Sequence, residues 1–134
     1  MPPLSPSRTV RQLAALPVHL QLWLAWLMLS TVVIPLFLLD TTFFAAAMLC
    51  QAANVLFGSW LMLRHGLVRL LSLAHLLFWT PMLAKFWWYY DSLDDPVVLA
   101  VGWVMIATVA ASLVLDARDY RDWLRGRREP IVAA

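Results

Sequence analysis

Four long apolar runs divide this 134-residue chain, and only short polar breaks separate them. The breaks are Asp40-Thr41-Thr42, Arg64-His65-Gly66 and Asp91-Ser92-Leu93-Asp94-Asp95-Pro96. A run of about 20 apolar residues, wound as a helix, matches the ~30 Å hydrocarbon core of a bilayer. Four such runs nearly fill the chain and leave little room within it for a water-soluble catalytic domain. The fold class that follows is an all-α integral membrane protein, an up-down-up-down four-helix transmembrane bundle with short loops and a cytoplasmic C-terminal helical extension. Composition agrees: 63% of residues are apolar and 13% charged, against about 45–50% and about 25% in soluble domains. Such a chain is neither an ordinary soluble domain, nor a disordered one, nor a nucleic-acid-binding module.

The runs set the organisation. Residues 1–12 read as a cytoplasmic tail, with three prolines in the first six residues opposing an early helix. Spans are expected at about 18–39, 42–63, 67–90 and 97–115, within a bundle covering 13–115, and residues 116–134 form a charged cytoplasmic tail that begins as a helix to about 128. Pro17 suits the first turn of span one and Pro96 that of span four, because a missing N–H costs nothing there. Pro35 and Pro81 are expected to kink spans one and three. Asp40 with Thr41 and Thr42 can cap span two, and Gly66 can end it in a left-handed conformation. The first run is about 22 residues, too long for a signal-peptide core.

Charge orients the bundle. Arg8, Arg11, Arg64, Arg69, Arg118, Arg121, Arg125, Arg127 and Arg128 fall on one side of a four-span chain, which is nine of its ten basic residues. Asp40, Asp91, Asp94 and Asp95 fall on the other, and Lys85 is the exception. Lysine and arginine collect in cytoplasmic loops. Both ends are therefore expected in the cytoplasm of a bacterial inner membrane, a source suggested by heavy use of Trp, Leu and Arg. The cytoplasmic Arg64, Arg69, Arg118, Arg121, Arg125, Arg127 and Arg128 suit topology and contacts with anionic headgroups. Trp87, Trp88, Tyr89 and Tyr90 cluster at the opposite interface, where aromatic belts lie. In the tail, Arg118 with Asp122 and Asp122 with Arg125 have the spacing of helical ion pairs.

Polar residues inside the spans need partners. Gln51, Asn54 and Gly58 lie on one helical face and form a packing stripe. His75, Phe78, Met82, Lys85 and Tyr89 share a face of span three. His75 and Lys85 form a candidate ligand or ion site, and Lys85 can either snorkel outward or pair with Asp40 or Asp91. Ser30 and Thr31 can bond to carbonyls of the preceding turn. Cys50 reads as a small apolar residue within a helix.

Chemistry is harder to find. Haem ligation needs two imidazoles at one height on facing helices, and His19 and His65 lie at the surface while His75 lies about two turns deeper. Small multidrug-resistance transporters match in size and span count only. They depend on a glutamate within the first span, and no acid occurs here between Val18 and Leu39. No HExxH, phosphate-cradling glycine loop or GxSxG occurs, and the acids read as distant from His75. No metal site and no cofactor are expected. The chain reads as a non-enzymatic structural subunit, assembly partner or homo-oligomer, whose partners are the bilayer and other membrane helices. The alternative is a small transporter or a ligand-binding membrane protein, with haem among the ligands considered.

Overall fold

A computed structural model of the chain describes residues 6–129 and 131. The rest of the expected tails, residues 1–5, 130 and 132–134, lies outside the described residues. The protein is all-helical, 84% helical and without strands among the described residues. Its helices are α1 (Pro6–Ala14), α2 (Val18–Leu36), α3 (Thr42–His65), α4 (Ser72–Tyr89) and α5 (Pro96–Leu124). Short 3-10 turns, Arg69–Leu71 and Tyr90–Ser92, flank α4. Four helices are long and apolar enough to cross a membrane: α2, α3, α5, and α4 with its flanking turns.

The N-terminal segment departs from expectation. It is helical from Pro6, because that proline occupies the first position of α1, where no N–H is required. Gln12 and Leu16 are buried. The chain then breaks at Pro17, which stands just before α2 with φ −54° and ψ 144°.

Each proline is handled locally. Ahead of Pro35, residues Leu29–Val33 of α2 widen into a π turn, the kind of insertion that bends helices near a missing donor. Thr31 Oγ1 donates to the Leu27 carbonyl at 2.6 Å, and Ser30 Oγ donates to the same oxygen at 3.4 Å. Pro81 lies inside α4, which continues past it to Tyr89. The start of α3 has no side-chain cap: Thr41 is its N-cap residue, and neither it nor Asp40 bonds the free amides. Gly66 ends α3 at φ 79° and ψ −168°, a positive φ that glycine alone adopts cheaply. Its ψ is extended, so the cap is not left-handed helical as expected. Asp95 caps α5, its Oδ1 accepting from the amides of Val97 at 2.7 Å and Val98 at 3.2 Å. α5 then runs unbroken through the boundary expected at residue 115 and stops at Leu124. Gly126, at φ 89°, turns the chain away before the expected helix end.

The helices close into a ring. α3 packs on α4 and α4 on α5, while the π turn of α2 touches both α3 and α5. Trp26 Nε1 of α2 donates to Thr108 Oγ1 of α5 at 3.1 Å, which fixes that last contact. The core is aromatic at one end of the ring. Phe43 meets Phe44 edge-to-face at 5.0 Å and Phe86 at 5.3 Å, and Leu27, Ala47, Met82, Met105 and Val109 pack around them. Gly102 lets α5 approach this cluster: a Cβ placed there would stand 3.0 Å from Phe86 Cε2.

Candidate functional site

Toward the other end of the ring the interior turns polar. α4 winds through Ser72, Ala74, Trp79, Met82 and Phe86 as its buried face. Of the residues expected to share a face, Met82 is buried, and Phe78, Lys85 and Tyr89 are half-buried. His75 stands one turn before Trp79, and the two rings stack in parallel, with centroids 4.0 Å apart and planes within 1°.

His75 also reaches α5. Its Nδ1 lies 2.9 Å from Asp116 Oδ2. Ser112 Oγ, one turn earlier on α5, donates to the same carboxylate oxygen at 3.3 Å. Both Ser112 and Asp116 are buried. Asp116 was expected in a solvated tail, and the acids were expected far from His75. Both fail for Asp116 alone: the helix continues past residue 115 as expected, but it turns Asp116 inward, to the height of His75.

On the α3 side, Trp79 Nε1 donates to Gln51 Oε1 at 2.7 Å. Asn54 Nδ2 also reaches Gln51 Oε1, at 3.5 Å. Gln51 and Asn54 are both buried, and Asn54 Oδ1 has no hydrogen-bond partner among the described residues. Gly58 completes the stripe. It faces α4, where a Cβ would meet Ala74 Cβ at 3.6 Å, an ordinary contact. The result is one chain of contacts across three helices, hydrogen bonds throughout except for the Trp79–His75 stack, running Asn54–Gln51–Trp79–His75–Asp116–Ser112. Against it opens a cleft of about 270 Å3 between α2, α3 and α4, lined by Leu27, Val55 and Met62 and by Gln51, Asn54, His75 and Trp79.

The order of these groups limits their chemistry. In a nucleophilic triad the imidazole stands between hydroxyl and carboxylate. Here the carboxylate stands between Ser112 and His75, so the serine proton faces an acceptor that does not relay it. What the arrangement does is hold the His75 ring on two sides, by the Asp116 bond and the Trp79 face, with Nε2 left over. No group of three or more His, Cys, Asp or Glu that could hold a metal ion occurs among the described residues.

The remaining candidates stand apart from this site. Lys85 is half-buried further along α4 and forms no ion pair among the described residues; the structure does not bring it to His75. Trp87 and Trp88 are exposed, and Tyr89 and Tyr90 half-buried. Trp87, Tyr90 and Phe86 meet Trp103 of α5 edge-to-face at 5.1–6.0 Å. Arg64 lies 5.1 Å from the centroid of the Trp60 ring, and Arg128 5.5 Å from that of Trp123. The ion pairs expected within α5 are replaced. Asp122 pairs with Arg127 at 3.2 Å, because the Gly126 turn folds that arginine back over the helix end, and Arg69 pairs with Glu129 at 3.7 Å. Arg118, Arg121 and Arg125 are exposed.

Trp79 and Asp116 were missed by reading the sequence. Their signal was present as two four-residue spacings, His75 to Trp79 and Ser112 to Asp116, each of which stacks its members on one helix face. No protein-family model, curated protein or solved structure matches the chain.

Proposed function

We propose that the protein is an up-down-up-down four-helix bundle of a bacterial inner membrane, with both ends in the cytoplasm. On this reading it is not an enzyme and acts through contacts in the bilayer, as a structural subunit, assembly partner or homo-oligomer. The observation that carries this is how polar and apolar surface are divided. Gln51, Asn54, His75, Ser112 and Asp116 turn inward and bond one another or Trp79, while Leu22, Leu49, Leu56, Trp60, Trp88 and Val114 stay exposed. Only 22–33% of the apolar window of each long helix is buried. An outer surface this apolar meets lipid or other helices and not water.

Helix length supports the span. Asp116 lies about 30 Å along α5 from Pro96 at 1.5 Å per residue. Across a ~30 Å core, that sets the acid at the arginine-bearing boundary and the Asp91–Asp95 turn at the opposite one. Arg64, Arg118, Arg121 and Arg125 then meet anionic headgroups, and Trp87, Trp88, Tyr89 and Tyr90 anchor the outer interface. No cofactor enters this reading.

Purification in a mild detergent with mass determination tests it. The expected species is larger than the 15.3 kDa chain, either a homo-oligomer or a complex with a stoichiometric membrane partner. A bare monomer that brings nothing with it contradicts the contact role.

A further inference from the structure

Self-association or docking of the outer surface leaves one interior feature without a role. Asn54 lines the cleft between α2, α3 and α4, and its Oδ1 is a buried acceptor without a donor among the described residues. Buried acceptors are nearly always bonded, so an orphan marks a place where a partner belongs. The amide is lightly held: its one contact, to Gln51 Oε1, is 3.5 Å, at the limit of a hydrogen bond. It can turn toward a donor in the cleft at little cost. Across the same cleft stand His75 and Trp79, stacked at 4.0 Å, and His75 Nε2 forms no bond among the described residues.

We propose that this cleft binds a membrane-soluble phenol, a hydroxyl-bearing aromatic ring with an apolar tail. Three features select that class. The orphan acceptor calls for a hydroxyl or N–H. The His75 and Trp79 rings in the lining favour an aromatic ring, which stacks or packs edge-on against such groups. The size calls for a single ring: about 270 Å3 falls just below the range of about 300–1,000 Å3 that encloses whole drug-sized ligands. The ring fills the cleft while the tail passes between Leu27, Val55 and Met62 into lipid. Entry from the bilayer suits a ligand that partitions there.

The test compares 4-decylphenol with its methyl ether, 4-decylanisole, by equilibrium binding to the purified full chain in detergent. In the ether a methyl group replaces the hydroxyl proton, so the donor is lost, and a site with a waiting acceptor discriminates strongly between such pairs. The phenol is expected to bind saturably and at least tenfold tighter than the ether. Asn54→Leu is expected to lower phenol affinity to that of the ether. Equal affinity of phenol and ether for the native chain overturns the proposal, as does the absence of saturable binding or a preference for phenol that survives Asn54→Leu. Val55→Trp fills the cleft from its half-exposed wall without touching the polar groups. It is expected to abolish binding of both compounds, and binding that persists identifies partition into detergent and overturns the assignment.

Discussion

Asp116 Oδ2 and His75 Nδ1 stand 2.9 Å apart and join the C-terminal half of α5 to α4. The pair sits where both side chains are largely withdrawn from the surface, 12% and 28% exposed, so water competes weakly for either partner. Hydrogen bonds to charged groups are worth about 1.5–3 kcal/mol. Asp116→Leu and His75→Leu should each lower stability by roughly 1–3 kcal/mol, and the double variant should lose less than their sum by about 1 kcal/mol or more. Thermal unfolding in detergent, followed by circular dichroism, reads all three. Strict additivity would show that the two groups do not interact.

Trp79 and Gln51 behave as a matched pair across α3 and α4. Trp79→Phe keeps most of the apolar contact and removes the donor at 2.7 Å from Gln51 Oε1. The amide oxygen is then left to Asn54 alone, with an expected loss of about 1–3 kcal/mol. Gln51→Leu in the same chain removes the acceptor too. It also strips Asn54 Nδ2 of its one acceptor, so Gln51→Leu with Trp79→Phe should lose less than the sum of the two single variants. Strict additivity would contradict the pairing.

The two helix-packing glycines should respond in opposite directions to one added methyl. At Gly58 the new Cβ meets Ala74 Cβ at 3.6 Å, ordinary contact, whereas at Gly102 it meets Phe86 Cε2 at 3.0 Å. Alanine in a helix gains about 0.5–1 kcal/mol over glycine. Gly58→Ala should therefore be neutral or stabilising. At Gly102 the gain is opposed by overpacking, which costs about 1–3 kcal/mol, because Phe86 is held by Phe43, Trp87 and Trp103 at 5.1–5.5 Å and cannot move aside freely. Gly102→Ala should lower the unfolding midpoint, and a raised midpoint would show that the cluster is looser than this.

The helices were legible because apolar length and polar breaks are local signals. Pro96, Gly66 and the Asp91–Asp95 turn mark ends that depend on a few neighbouring residues. Ser30 and Thr31 likewise bond within their own turn. The site was less legible because its members come from three helices, and their meeting depends on rotation about each axis. Gln51 and Asn54 stood out as amides in an apolar run, but the donor to Gln51 is Trp79, which reads in sequence as one more apolar residue. Asp116 was masked by its neighbours. It opens the run Asp-Ala-Arg-Asp-Tyr-Arg-Asp, whose alternating charge reads as a solvated helix. Only the uninterrupted course of α5 shows that its first acid faces inward. Pro6 misled for a related reason, since a proline that stops a helix and one that starts it look alike until the following residues are placed.

In the proposed topology the arginine-bearing ends lie on one side of the membrane and the Asp91–Asp95 turn on the other. The most direct measurement labels single cysteines with a membrane-impermeant maleimide. Cys50→Ala removes the native thiol, and Asp94→Cys or Glu129→Cys then places one thiol at an exposed site while keeping every arginine. In cells with a permeabilised outer membrane, the thiol at position 94 should label at once and that at 129 only after the inner membrane is broken. Labelling of both positions from the same side would contradict the account.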